Sequence, residues 1–97
     1  MYAVIFRAEI NKLDEAYFEM AARMQELAKS KYGCKEFISI SEGNIEIAIS
    51  YWESKEQIQA WKENSEHLIA QKYGAAKWYS SYQVQIVEVI REYAQNT

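Results

Sequence analysis

The stretch that decides the fold runs from Tyr51 to Val89 and reads YWESKEQIQAWKENSEHLIAQKYGAAKWYSSYQVQIVEV. It begins with the end of a strand, and Ser54 followed three residues later by Gln57 is typical of a capping box that opens a helix. The pair Asn64-Ser65 predicts a break or a second cap within this helix. An aromatic-rich connector then leads to a final strand, which is predicted from Ser81 to Glu92.

The upstream half supplies a strand, a helix and a hairpin. β-forming residues indicate a first strand from Tyr2 to Glu9, and apolar residues spaced three and four apart indicate an amphipathic helix that Gly33 ends. Glu36–Ser41 and Asn44–Trp52 flank a tight Glu42-Gly43 connection, which predicts a hairpin. The order β-α-β-β-α-β predicts an α+β fold of the ferredoxin-like type with an antiparallel sheet.

This topology leaves one face of the sheet without helices. Two helices cover only one side of a four-stranded sheet, and Val87, Val89 and Ala48 are expected on the other side with part of the first strand. An exposed apolar patch of this size is typical of a surface that binds a partner. We therefore expect a homodimer that packs through the open sheet faces.

Charge and composition narrow the class of protein. The 97 residues carry 11 basic and 14 acidic side chains, a net charge of −3, and no basic stripe, so nucleic acid is not an expected partner. Cys34 is the only cysteine, which excludes an intramolecular disulfide, and we expect it to be a small buried hydrophobe. One histidine and one cysteine do not predict a metal site.

Targeting and domain signals are few. No apolar run approaches the ~20 residues of a membrane span, and MYAVIFRAEI lacks the features of a signal peptide. We therefore expect a cytoplasmic protein that does not bind membranes. Proline is absent and no linker or repeat interrupts the chain, so residues 1–97 are expected to form a single domain.

Four segments carry a family resemblance: YAVIFRAEI, YGCKEFISI, SYWESKEQIQAWKENSEHLIAQ and YQVQIVEVIREY. The run from Trp61 to His67, followed by Ala70-Gln71, is the most specific piece. In these segments the chain resembles the antibiotic biosynthesis monooxygenase (ABM) family of small dimeric α+β barrel proteins. The resemblance covers essentially the whole chain. It implies a pocket between the sheet and the helices of each protomer.

The resemblance also implies a reaction. Family members of one kind oxidise phenolic or quinol-like aromatics with molecular oxygen and without flavin, haem or metal. We therefore expect a cofactor-independent monooxygenase that acts on a small aromatic substrate. Because other members have no assigned activity, a non-catalytic dimeric module that binds a small ligand or serves in assembly stays the alternative.

Haem binding is a third hypothesis. The haem-degrading relatives use an Asn in the first strand, a Trp on the second helix and a His farther along that helix. Trp61 matches the Trp, whereas Arg7 stands where the Asn is expected and Gln71 stands at the later helical position.

His67 is the predicted catalytic base. An imidazole with a pKa of about 6.5 takes a proton from a phenol and returns it later. The alternative is a surface histidine flanked by Glu63 and Glu66. On a continuous helix, positions 61 and 67 are about 120° apart, so Trp61 and His67 share a cavity only if the helix breaks between them.

The predicted substrate-binding residues are a cation and four aromatics. Arg7 is expected to bind a carboxylate or phenolate, or else to pair with Glu9 or Glu88. The predicted pocket walls are Trp61, Trp78 and Tyr82, with Tyr51 as a further candidate. Each aromatic has the alternative of packing in the core or in a dimer contact. Tyr51 and Trp52 alternate along a strand, so at most one of them lines the pocket.

Overall fold

The fold consists of a four-stranded sheet and two helices, as seen in a computed structural model that describes residues 1–12, 14–72 and 78–96, with the backbone alone over 66–72. The elements are β1 (Tyr2–Ile10), α1 (Glu15–Ser30), β2 (Glu36–Glu42), β3 (Ile45–Trp52), α2 (Lys55–Lys72) and β4 (Tyr79–Glu88). Neighbouring strands are antiparallel, in the order β2-β3-β1-β4. The predicted ferredoxin-like α+β fold is confirmed. None of the described helices is long and apolar enough to cross a bilayer.

Side-chain caps define where both helices begin. Asp14 Oδ1 accepts a hydrogen bond from the backbone N–H of Tyr17 at 2.8 Å, and α1 starts at the residue after Asp14. Ser54 Oγ accepts from the backbone N–H of Gln57 at 3.2 Å, while Gln57 Oε1 accepts from the N–H of Ser54 at 3.3 Å. This reciprocal pair is the predicted capping box, which is confirmed.

Two glycines turn the chain with a left-handed backbone. Gly33 follows α1 with φ of +84°, and a Cβ there would lie 2.6 Å from Nε2 of Gln57, so the helix exit approaches the start of α2 closely. Gly43 has φ of +61° in the two-residue connection between β2 and β3. A positive φ at the first central position is the pattern of a II′ hairpin turn, so glycine suits this position.

Two predicted boundaries are wrong. Helix α2 runs unbroken from Lys55 to Lys72, and Ser65 Oγ donates to the carbonyl of Trp61 at 2.9 Å. Because this bond satisfies the hydroxyl within the helix, Ser65 starts no new segment. Strand β4 ends at Glu88, which lies opposite Tyr2 at the start of β1, and the backbone N–H of Val89 still donates to the carbonyl of Met1 at 2.9 Å.

The helices cover the mixed face of β3 and leave the isoleucine-rich face open. Trp52, Ser50 and Glu46 are buried, whereas Ile45 and Ile47 are 44% and 37% exposed. The open face carries the exposed apolar side chains Ile38, Ile40, Ile45, Ile47 and Val87. The expected position of Val87 is confirmed. Ala48 was expected there too, but it lines a cavity on the helix side because it alternates with the isoleucines. Val89 lies beyond the end of β4.

Two core clusters hold the helices against the sheet. One contains Trp52, Ile58 and Trp61, and the other contains Tyr17, Met20 and Trp78. Met24 of α1 packs against both clusters, so the space beneath α1 is bounded by apolar side chains on two sides.

Candidate functional site

A cavity of about 270 Å³ lies between α1 and the sheet. Its apolar surface comes from Phe6, Phe37, Tyr79, Met20, Met24 and Ala48. An apolar cavity of about 150 Å³ is enough to bind benzene, so this space accommodates a small aromatic molecule. Flat apolar walls with a few polar groups are the usual composition of a small-molecule site.

Glu46 forms the polar end of this cavity. Its residue surface is 8% exposed, and it lies opposite Ala8 on β1 and Ser41 on β2. The hydroxyl of Tyr17 donates to Oε2 of Glu46, and Ser39 Oγ donates to Oε1 at 3.2 Å. These two bonds orient a carboxyl group inside a largely apolar space, whose described lining also includes Gln25.

The cavity changes the proton affinity of its acidic groups. Burial raises the pKa of the Glu46 carboxyl above its ordinary value, because the charged form loses hydration. Burial, and then the negative charge of Glu46, raise the pKa of the Tyr79 hydroxyl well above its usual range. Tyr79 therefore stays a neutral hydrogen-bond donor, whereas Glu46 holds a proton more readily than a solvent-exposed glutamate.

Aromatic rings form a continuous wall around the cavity. The ring of Tyr79 contacts Phe6 edge-to-face with centroids 5.4 Å apart, and the ring of Tyr17 contacts Tyr79 at 6.0 Å. Trp78 is fully buried and packs edge-to-face on Tyr17 at 5.6 Å. Tyr82 is 58% exposed, and its ring stacks on Phe6 at 6.1 Å. Trp78 and Tyr82 therefore touch the residues that line the cavity.

Trp61 packs against Phe37 and Met24, which line the cavity. Its indole Nε1 donates to the backbone carbonyl of Met24 at 3.0 Å, and its ring lies 6.0 Å from Phe37 and 5.2 Å from Trp52. Trp61 is 9% exposed and belongs to the core cluster with Trp52. Like Trp78 and Tyr82, it contacts lining residues from behind.

Arg7 and Tyr51 lie on the open face, away from this cavity. Arg7 is exposed and pairs in the ladder with Ile47 and Gln83, and its Nη2 donates to Oε1 of Gln83 at 2.9 Å. Tyr51 alternates with the buried Trp52. The structure therefore differs from the expectation that these two residues share a pocket with Trp61. Because Gln83 lies directly across from Arg7, the guanidinium bonds to it and not to Glu9 or Glu88.

The position of His67 is defined by its backbone alone. Its side chain, like that of Gln71, lies outside the described residues. Because α2 continues through this segment, positions 61 and 67 are about 120° apart around the helix axis. The break that would bring them together is absent from the described backbone.

Cys34 takes no part in the cavity. It is buried in the cluster of Trp52 and Trp61, and its Sγ donates to the carbonyl of Glu36 at 3.2 Å. Burial raises the pKa of the thiol, so the reactive thiolate is disfavoured. The prediction that Cys34 is a small buried hydrophobe is confirmed.

Sequence reasoning missed Glu46 and Tyr17. Glu46 lies between Ile45 and Ile47, so a charged residue there indicates a solvent-facing position. The signal that could have identified it is Trp52, which follows on the same side of β3. A large aromatic is more readily buried under a helix than left on an open sheet, which would have placed Glu46 inside as well.

Sequence comparison relates the chain to a bacterial protein. No family model matches the sequence. The uncharacterized protein YqjZ of Bacillus subtilis is 37% identical over 92 residues, which span 94% of this chain and 81% of YqjZ. This degree of similarity places both chains in one protein family.

Solved structures identify the fold. SnoaB, a cofactor-independent oxygenase from Streptomyces nogalater, matches with a TM-score of 0.75 over 97% of each chain at 12% identity. An antibiotic biosynthesis monooxygenase matches with a TM-score of 0.64 at 15% identity, over 94% of this chain and 100% of the other. The chain shares the fold of both structures. The ABM fold is therefore shared although the sequences have diverged widely.

The ABM fold is compatible with more than one ligand. MhuD, crystallised with two manganese protoporphyrin IX molecules per active site, matches this chain with a TM-score of 0.57 at 19% identity. The match spans 96% of this chain and 99% of MhuD. The shared fold therefore defines the architecture, and the ligand has to be argued from the cavity.

Proposed function

We propose that this protein is a cofactor-independent monooxygenase that oxidises a small phenolic or quinol-like aromatic with molecular oxygen. The observation that carries the proposal is the cavity beneath α1, where aromatic walls enclose the buried carboxyl of Glu46. The likeness to SnoaB adds a precedent for oxygenation without a cofactor on this fold.

The reaction balances without an external reductant. A phenol or quinol with a free C–H opposite or next to a hydroxyl loses an O–H proton to a base, and the resulting electron-rich phenolate donates an electron to O2. One oxygen atom then becomes the second carbonyl of a quinone, and the other leaves as water with the two hydrogens of the substrate. The protein has to bind the ring, accept a proton and exclude bulk water.

The proposed roles follow from position. His67 remains the base proposed from the sequence, and Glu46 is a second proton acceptor inside the cavity. Trp61, Trp78 and Tyr82 act through the lining residues that they contact. Arg7 and Tyr51 belong to the open face, where a role would depend on a second copy of the chain.

We also propose that the chain forms a homodimer through the open face. Isoleucine side chains on β2 and β3 remain exposed there, with Ile40 at 64%, and Val87 extends the apolar surface across to β4. A second copy fits because it would bring the same strip of apolar residues to the contact. Sedimentation velocity tests this proposal. A species of monomer mass at all micromolar concentrations would refute it.

Two other functions are weaker. A porphyrin does not fit the described cavity, because about 270 Å³ is less than twice the ~150 Å³ that holds benzene, whereas a porphyrin joins four five-membered rings in one plane. The described lining residues also offer neither an imidazole for iron nor a cation for propionates. The second candidate is a non-catalytic dimeric module that binds the same small aromatics, since neither a cavity nor an open sheet face requires catalytic activity.

Oxygen uptake separates the oxygenase from the binding module. Oxygen uptake by the purified wild-type protein is measured with hydroquinones, naphthols and anthrone-like phenols. Two variants are measured in parallel: Ala48→Leu fills the cavity, and Ala60→Leu adds the same side chain on the exposed surface of α2. We expect uptake above the autoxidation blank that Ala48→Leu abolishes and Ala60→Leu retains. No uptake by the wild-type protein, with ligand binding intact, would favour the module.

His67→Ala tests the base in the same assay. Loss of uptake with unchanged ligand affinity would support His67 as the proton acceptor. Unchanged uptake would leave the reaction class in place and remove His67 from the mechanism.

A further inference from the structure

The polar end of the cavity has unused hydrogen-bonding capacity. An ionised carboxylate offers about four acceptor sites, and Tyr17 and Ser39 occupy one on each oxygen of Glu46. Glu46 lines the cavity and is 8% exposed. Its remaining acceptor sites are therefore more accessible to a molecule inside the cavity than to bulk water. The surrounding residues therefore prepare Glu46 to accept a hydrogen bond from a ligand.

The charges around the cavity have one sign. Glu46 is the ionisable carboxyl group among the described lining residues, and none of these residues is a lysine or arginine. Arg7, the one cation predicted for the site, lies on the open face and bonds to Gln83. A ligand carboxylate at the polar end would therefore meet a like charge in a space of low polarity, with no described cation to offset it.

Tyr79 adds a donor beside this acceptor. Its ring lines the cavity, and its hydroxyl stays protonated because burial and the charge of Glu46 both disfavour the phenolate. A ligand hydroxyl both donates and accepts, so it can donate to Glu46 and accept from Tyr79. A ligand carboxylate only accepts, so it offers no donor to the remaining acceptor sites of Glu46.

We propose that Glu46, held by Tyr17 and Ser39, accepts a hydrogen bond from a ligand hydroxyl and makes this cavity select uncharged hydroxylated aromatics over aromatic carboxylates. The proposal rests on the proposed function in taking this cavity as the substrate site, and it names the substrate class. It does not depend on which residue is the base.

Equilibrium binding without oxygen tests the selection separately from the reaction. The affinities of 2-naphthol, 2-naphthoate and naphthalene are measured by calorimetry at pH 8 under argon. The three ligands share one ring system and differ in the group that meets Glu46. We expect the wild-type protein to bind 2-naphthol at least about tenfold more tightly than 2-naphthoate, as a charge-assisted hydrogen bond implies.

Glu46→Gln keeps the shape of the side chain and removes its charge. We expect the ratio of naphthol to naphthoate affinity to fall about tenfold or more, while naphthalene affinity stays unchanged. Glu19→Gln, which removes the same charge from an exposed position on α1, is the matched control and leaves the ratio at its wild-type value.

Three results would overturn the selection. They are equal wild-type affinity for 2-naphthol and 2-naphthoate, an unchanged ratio in Glu46→Gln, and no saturable binding of 2-naphthol. Two of them are read from the wild-type protein, so they remain decisive if the variant fails to fold. Selective binding without any oxygen uptake would refute the oxygenase and leave this inference standing.

Discussion

Replacing Ala48 by leucine tests whether the cavity beneath α1 is open space in the folded protein. Ala48 lies on β3, opposite Phe6 and Ser39, and lines the cavity of about 270 Å³. Leucine adds three carbon atoms, and burying each stabilises the fold by about 0.8 kcal/mol, or about 2.4 kcal/mol together. Ordering the leucine side chain costs about 0.5–1 kcal/mol. The net stabilisation is therefore about 1–2 kcal/mol.

Thermal unfolding followed by circular dichroism measures this change at a fixed protein concentration. For a domain of this size, 1 kcal/mol corresponds to about 4–8 °C, so we expect the Tm of Ala48→Leu to rise by at least about 4 °C. Ala60→Leu places the same side chain on the exposed surface of α2, where the free energy of unfolding should change by less than about 0.5 kcal/mol. In the same preparations, 2-naphthol binding should be lost in Ala48→Leu and retained in Ala60→Leu.

Two results would refute this reasoning. A fall in Tm would mean that the leucine overpacks the region, and that the folded protein holds no such space. A stabilised Ala48→Leu that still binds 2-naphthol would mean that the ligand occupies another part of the molecule.

Three further predictions concern pH, helix capping and assembly. Burial raises the folded-state pKa of Glu46 above its unfolded value, so the contribution of Glu46 to stability is fully present below about pH 4.3 and is lost as the pH rises through the folded-state pKa. The Tm of Glu46→Gln minus the Tm of wild type should therefore grow from pH 4 to pH 8. A Tm difference that is flat with pH would contradict the raised pKa. Ser54→Ala removes the acceptor for the N–H of Gln57 and should lower the free energy of unfolding by about 1 kcal/mol in guanidinium titrations, whereas Ser81→Ala, on the exposed surface of β4, should change it by less than about 0.5 kcal/mol. Ile47→Lys places a charge on the open face and should shift sedimentation from dimer to monomer without changing the circular dichroism spectrum; a dimer that persists would exclude this face as the contact.

The element order was predictable because its signals are local. The capping box of Ser54 and Gln57 needs four consecutive residues, and the turn at Gly43 needs a residue that tolerates positive φ. Period-two and period-3.6 patterns then separate strands from helices. These features depend on the chain's own backbone, so tertiary contacts do not have to be known.

The two mispredicted boundaries depend on contacts that the pattern of residue types does not encode. The hydroxyl of Ser65 bonds to the carbonyl of Trp61, so a residue that often caps a helix is tolerated inside α2. Strand β4 ends where its ladder with β1 ends, one backbone hydrogen bond before the contact of Val89 with Met1, although the β-forming character of the sequence continues past that point. Neither reason is visible in the local pattern.

The sequence by itself determined the order of elements, their caps and turns, and the division of β3 into an isoleucine side and a mixed side. Only the tertiary structure decided that the helices cover the mixed side. Alternation assigns residues to two faces of a strand but does not say which face is covered, and both faces of β3 carry apolar side chains. Packing of Trp52 beneath α2 settles the choice, which turns Ile45 and Ile47 outward and carries Glu46 into the cavity. The buried carboxyl of the proposed site is thus a consequence of how the helices pack on the sheet, which the alternation within one strand does not encode.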